Sequence, residues 1–167
     1  MASTFELSDV NVSLTPLERF EEFLQSRGMR ITKPRRVIVT EVFSRHEHFD
    51  AEELLIRMQQ VASDAKVSRA TVYRTLSELV NAGLLRQMTL STRTVYEHDY
   101  GYPQHDHLYC QKCEKLIEFH SPELNEIRDA VAKKHNFNVT GHRFLVTGLC
   151  EDCRRRPPRR DRRLDHV

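Results

Sequence analysis

The feature that most constrains this chain is a pair of C-x-x-C motifs, Cys110-x-x-Cys113 and Cys150-x-x-Cys153, which hold all four of its cysteines. Each knuckle offers two thiolates, and four thiolates close a tetrahedron around zinc with no open position. The 36 residues between the pairs would then be pinned at both ends as one strand–helix–strand unit. A closed site of this kind stabilises folding rather than doing chemistry, with ~10 kcal/mol or more of binding energy in comparable peptides. A thioredoxin-like redox pair would need one C-x-x-C at a helix start in a βαβ setting, and that setting is absent. The first residues show no basic region followed by an apolar stretch, so the protein is expected in the cytoplasm, where cysteines spaced like this read as metal ligands before disulfides. No apolar run approaches the ~20 residues needed to span a bilayer.

A length of 167 residues suits one or two small domains. Residues 1–14 read as a loose leader. Thr15-Pro16-Leu17-Glu18 has the pattern of a helix start, followed by Leu17, Phe20, Phe23 and Leu24 at helical spacing up to Gly28. Thr32 is expected to cap a second helix. Asp50 and Glu53 resemble a capping box for a third, and Ser68 caps a fourth that stops at Gly83. Two β-like runs, Leu84 to Met88 and Arg93 to Glu97, flank a turn at Ser91-Thr92. Four helices and then a hairpin is the order of a winged helix. Beyond a hinge at 99–104, Leu116 to Phe119 reads as a strand, Ser121 to His135 as a helix and Val139 to Leu149 as a long strand. The expected fold is therefore α+β. A winged helix-turn-helix domain over 15–98 precedes a small α/β dimerisation and metal-binding domain over 105–153, and a basic disordered tail covers 154–167.

The net charge of +2 hides an uneven distribution. Residues 1–98 are neutral, 99–153 carry −3 and 154–167 carry +5. A nucleic-acid reading must therefore rest on local placement of charge. The helix from Ser68 to Gly83 supplies it: one face is apolar, and the other carries Arg69, Thr71, Tyr73 and Arg74, with Lys66 just before. Such a helix can lie in a major groove with its early residues at base edges. Arg30, Lys33, Arg35 and Arg36 form a second basic cluster, suited to the backbone or to a narrow minor groove. An ordinary surface helix with scattered arginines is the plainer alternative. The arginines of the tail either add phosphate affinity or simply solubilise the chain.

Histidines and acids cluster before the first knuckle, at Glu97, His98, Asp99, His105, Asp106 and His107, with Glu118 on the next strand and His48 far upstream. The H-x-H spacing puts both imidazoles on one side of an extended segment. Imidazoles with carboxylates and no thiolate suit Fe(II), Mn(II) or Zn(II). Ligands on both sides of a hinge would make the metal a conformational switch. The alternative is a set of ordinary surface histidines lying near acids.

Taken together, T-K-P-R-R-V-I, A-E-E-L, S-R-A-T-V-Y-R-T-L, A-G-L-L, H-D-H-L-Y-C-Q-K-C-E-K-L-I-E-F and C-E-D-C resemble the ferric uptake regulator family over about residues 16 to 153. The resemblance implies a homodimer that binds A·T-rich inverted repeats of double-stranded DNA, senses metal or oxidant, and mostly represses transcription. It implies structural Zn(II) at Cys110, Cys113, Cys150 and Cys153. It implies DNA contacts from Tyr73 and Arg74 on the recognition helix, with Arg30 at a minor groove. The family's hinge sensor falls on His48, Glu97, His105, His107 and Glu118. Glutamate at both acid positions looks more like the iron-responsive members than the peroxide sensors, so Fe(II) is the expected regulatory ion, with Mn(II) or Zn(II) as substitutes. Zinc, manganese or peroxide sensing within the same family is the alternative. A further site of the family falls on Gln104, Asp106, Asn125 and His142, where two ligands have become amides, so it is expected to be weak or empty.

Two other classes compete. A metallohydrolase needs an open coordination position and a base, and five candidate ligands leave little room for substrate; no enzyme is expected. A zinc-ribbon adaptor that binds only proteins would not need the basic amphipathic helix.

Overall fold

Pro16 starts the first helix because its fixed φ and missing N–H suit a first helical position. Thr15 closes the capping box, its hydroxyl accepting the Glu18 N–H while the Glu18 carboxylate accepts the Thr15 N–H at 2.8 Å. The computed structural model describes residues 10–61, 67–91 and 93–155, so Lys66, Thr92, the first nine residues and the tail from 156 onward lie outside it. The described residues form two compact units, 10–103 and 104–155. Among them no helix is long and apolar enough to cross a membrane.

The first unit runs α1 (Pro16–Ser26), α2 (Lys33–Val42), β1 (Phe49–Asp50), α3 (Ala51–Val61), α4 (Arg69–Asn81), β2 (Leu85–Leu90) and β3 (Arg93–His98). Asp50 and Glu53 cap α3 reciprocally, with N–H bonds of 2.8 and 2.9 Å. Ser68 caps α4 by accepting the Thr71 N–H at 3.2 Å, and Gly83, at φ +68°, ends that helix in the left-handed region. Thr32 occupies the N-cap of α2, but its side chain makes no capping bond; Pro34 in the first turn leaves one fewer N–H to satisfy. Phe20, Leu24, Ile38, Val42, Leu54, Val72, Leu76 and Leu79 meet in one core.

The hairpin strands β2 and β3 pair antiparallel, Leu85 opposite His98 through Leu90 opposite Arg93. A third strand, β1, was not anticipated: two residues are too few to show a period. It pairs with β3, Phe49 opposite Tyr96, giving the order β1-β3-β2. Helices α2 to α4 followed by this small sheet make a winged helix-turn-helix.

The second unit runs β4 (Asp106–Cys110), β5 (Leu116–Phe119), α5 (Pro122–Lys134), β6 (Leu145–Gly148) and α6 (Glu151–Arg155). Its sheet has the order β5-β4-β6, with β4 antiparallel to β5 and parallel to β6. The strand expected over Val139 to Leu149 is only four residues long. Gly141, and the engagement of His142 and the Phe144 N–H by Gln104 and Asp106, take the preceding segment out of the ladder. The short helix α6 was likewise unforeseen.

An ion pair joins α2 to α4 beside the first core. Arg35 of α2 meets Glu78 of α4 at 2.7 Å, with side chains only 12% and 14% exposed. Removing one partner of such a pair strands a desolvated charge. Glu78→Ala should lower unfolding stability by about 2–3 kcal/mol, somewhat under the ~3–5 kcal/mol of a fully buried pair. Chemical denaturation followed by circular dichroism measures the difference, and a loss within that of an exposed substitution would show the bridge to be neutral.

Candidate metal centres and nucleic-acid interface

The parallel pairing of β4 and β6 sets Cys110 opposite Gly148, so both knuckles leave the same end of the sheet. The Gln111 N–H donates to the Gly148 carbonyl at 2.8 Å and the Cys150 N–H donates to Cys110 Sγ at 3.3 Å. Glu114, at φ 60°, turns the first knuckle, its N–H donating to the Cys110 carbonyl at 2.8 Å. The four Sγ atoms all lie within 4.8 Å of one another, with Cys113 and Cys150 3.6 Å apart. Zn–S bonds of ~2.3 Å put tetrahedral sulfurs about 3.8 Å apart, and no disulfide joins any of the four. The N–H groups of Cys150 and then Cys113 draw the Cys110 thiol down to about 6. Desolvation, followed by the neighbouring thiols, pushes Cys153 up to about 12. Bare, the cluster cannot hold four thiolates; a soft divalent cation is what this donor set fits.

In the same unit, His105 and His107 lie on one face of β4. His107 is opposite Glu118 of β5 in the register, and His105 Nε2 is 3.8 Å from the Glu118 carboxylate. The two imidazoles stand edge to face, 4.7 Å between centroids, and both are buried. The three ligand atoms fall within 4.8 Å of one another. In the first unit, the register of β1 against β3 extended by one residue sets His48 opposite Glu97, and their side chains meet at 3.3 Å. All five expected sensor residues thus sit in two nitrogen-and-oxygen donor groups, one per unit, each suited to a borderline divalent ion.

Two neighbours in the sequence cluster have other work. His98 lies 2.9 Å from the Val42 carbonyl through Nε2 and 3.1 Å from His46 Nδ1 through its own Nδ1. The carbonyl can only accept, so Nε2 carries the proton and Nδ1 accepts from His46. Asp99 pairs with Arg86 at 2.6 Å. Gln104, Asp106, Asn125 and His142 also come together, and Arg128, which the sequence reading passed over, stands among them.

The outward face of α4 carries Arg69, Tyr73 and Arg74, all exposed. Thr71 is half-buried and its hydroxyl belongs to the Ser68 cap, 2.8 Å away. Arg30 and Lys33 are exposed. Arg35 and Arg36 are committed inside the unit, to Glu78 and to Glu21, each at 2.7 Å. Glu52 of α3 was also missed. Arg69 grips its carboxylate with both arms, one at 2.8 Å, and the Tyr73 hydroxyl donates to it at 3.0 Å. Arg69 and then Tyr73 hold the Glu52 carboxyl below its ordinary range. A guanidinium fork and a phenol converging on one carboxylate form a pair of donors equally suited to phosphate.

A family model described as the ferric uptake regulator family matches residues 26–147. The chain is 34% identical over 137 residues to the ferric uptake regulation protein of Campylobacter upsaliensis, covering 82% of this chain and 88% of that one. The structure of the Helicobacter pylori ferric uptake regulator, described as having three functional metal binding sites, superposes with a TM-score of 0.77 at 25% identity, covering 90% of this chain and 99% of that one. A zinc-bound manganese uptake regulator superposes with a TM-score of 0.57 at 37% identity, covering 79% and 98%. Such regulators control transcription and are not enzymes. With the fold, the four-cysteine cluster and the family match in agreement, this chain belongs to the ferric uptake regulator family.

Proposed function

We propose that this protein is a cytoplasmic, homodimeric transcriptional repressor that binds A·T-rich inverted repeats when a divalent metal, most fittingly Fe(II), occupies its sensor ligands. The observation that carries the reading is the exposed face of α4 in a member of this family, where Arg69, Tyr73 and Arg74 lie on the helix that a winged-helix fold offers to a major groove. Arg30 and Lys33, exposed at and just before the start of α2, supply backbone or minor-groove contacts. Apolar residues left bare on the second unit support the dimer. Ile117, Leu108 and Val146 stand side by side across β5, β4 and β6, and all three are exposed. A contiguous apolar row of this kind favours burial against a like surface.

Cys110, Cys113, Cys150 and Cys153 would hold a permanent zinc, closed to substrate and to exchange. His48, Glu97, His105, His107 and Glu118 would hold the exchangeable ion. A divalent ion held by these residues would favour the one arrangement in which every ligand reaches it. His48 and Glu97 would present one imidazole and one carboxylate from the first unit; His105, His107 and Glu118 would complete the set from the second. Tying the units would fix the spacing of the two recognition helices in a dimer, which must match successive major grooves. Hinge residues 99–104 would absorb the difference between the two arrangements. Manganese sensing is the second reading, favoured by the 37% identity to the manganese uptake regulator.

Fluorescence anisotropy at one fixed salt concentration is the test, with an A·T-rich inverted-repeat duplex and a scrambled one, before and after Mn(II) is added to protein stripped at the sensor ligands. Metal-dependent binding selective for the repeat is expected; equal binding to both duplexes would refute the reading. Tyr73→Ala should weaken repeat binding by about fivefold or more, the ~1–3 kcal/mol of one base-reading contact, with fold and oligomeric state unchanged. His48→Ala should abolish the response to Mn(II) while zinc stays near one per chain by elemental analysis; an intact response would remove His48 from the sensor. Stripping that zinc with a strong chelator should unfold the second unit and leave the helices of the first, since metal energy in such sites is folding energy. Hydrogen exchange read separately over 104–155 and 10–103 reports the difference, and equal protection in both would disprove it.

A further inference from the structure

Strand alternation sends Asp106 to the face of β4 opposite His105 and His107, into a polar cluster of the second unit. Asp106 is 4% exposed. One of its oxygens accepts the Phe144 N–H at 3.2 Å, and His142 Nε2 lies 3.2–3.3 Å from the carboxylate. On the other side of the ring, His142 Nδ1 is 2.9 Å from Arg128 Nη1 and 2.8 Å from Gln104 Nε2. Arg128 Nη1 also donates to Asn125 Oδ1 at 2.9 Å, and Arg128 Nε to Asp129 at 2.8 Å.

The proton positions follow from these contacts. A guanidinium only donates, so His142 Nδ1 must present its lone pair and Nε2 must carry the hydrogen, given to Asp106. Gln104 Nε2 is also 2.9 Å from the His142 carbonyl, which only accepts, so the amide turns its NH₂ and not its oxygen inward. The lone pair of His142 and the oxygen of Asn125 are thus both taken by N–H groups. The resemblance to the family places a metal site on Gln104, Asp106, Asn125 and His142, and these residues do not fit one: the imidazole lone pair and an amide oxygen both point at a fixed positive charge. The carboxylates of Asp129 and, more weakly, Asp106 favour that charge.

We propose that Arg128 is the resident cation of this cluster, closing it to divalent metal and joining α5 to the segment before β6 without one. Its guanidinium balances Asp106 through the neutral His142 ring, the charge relation a metal would otherwise provide. This corner of the unit therefore keeps its cross-link whatever the metal supply. The inference is independent of which ion the sensor takes and of DNA binding.

Nitrogen-15 NMR of the His142 ring in the full chain tests it, with Zn(II) as the probe. In the wild-type protein, Nε2 should be protonated and Nδ1 bare, and both signals should stay in place as Zn(II) is raised well beyond two equivalents. In Arg128→Ala, the lone pair faces only the neutral Gln104 amide, which can swing aside, and Nδ1 should move to a metal-bound shift at a zinc concentration at least tenfold below any that moves it in the wild type. A wild-type Nδ1 signal that shifts with a third equivalent would overturn the proposal, whether or not the variant folds. An Arg128→Ala signal that stays still would overturn it too, by showing that something other than the guanidinium closes the site.

Discussion

Everything distinctive about the second unit depends on the two-residue alternation of a single strand. β4 is the central strand of its sheet, hydrogen-bonded on both edges, so its register cannot slip without breaking two ladders at once. Within five residues it turns His107 to one face, with His105 just before it, sends Asp106 to the other, and ends on Cys110. Three polar clusters of different chemistry thus share one backbone: imidazole and carboxylate, carboxylate with imidazole and guanidinium, and thiols. The pleat puts the first two on opposite faces, and the length of the strand from Asp106 to Cys110 separates the second from the third.

The first unit distributes its charge in a similar spirit. Thirteen basic and thirteen acidic residues over 1–98 look uninformative until the pairs are assigned. Arg35 and Arg36 hold helices together, while Arg69 rests on Glu52 in exposed ion pairing that water and salt weaken. Arg30, Lys33 and Arg74, by contrast, are exposed. Glu52 keeps the Arg69 and Tyr73 side chains ordered on the surface of α4, so less rotamer freedom remains to be lost when an anion replaces the carboxylate.

Much of this was legible in the sequence because it is local. Capping boxes announced α1 and α3, Ser68 announced α4, and the cysteine spacing announced the thiol cluster, each from residues within a few positions of one another. What escaped reading is tertiary. β1 exists only because β3 lies beside it. Glu52 matters only because α3 packs on α4. The strand expected from Val139 onward shrank because its first residues bond to Asp106 and Gln104 instead of to a ladder. Arg128 was the one omission with a usable signal, since its position three residues after Asn125 puts both on one helix face. Asn125 and Gln104 were read as weak metal ligands; in the structure the Asn125 oxygen accepts from Arg128 and the Gln104 amide donates to His142.

The parallel pairing of β4 with β6 also bears on how the protein is made. His107 is opposite Leu145, so the ladder joins residues 38 apart and cannot begin until α5 has been spanned. Closing a loop of that length before any contact rewards it makes parallel pairing slow. During synthesis the first knuckle emerges early and can take a cation with two sulfurs, while Cys150 and Cys153 arrive only after β6 itself. The second knuckle, made only after β6, therefore decides whether the second unit closes, and a shortage of a fitting divalent ion at that moment would leave a folded first unit attached to an open, aggregation-prone second one.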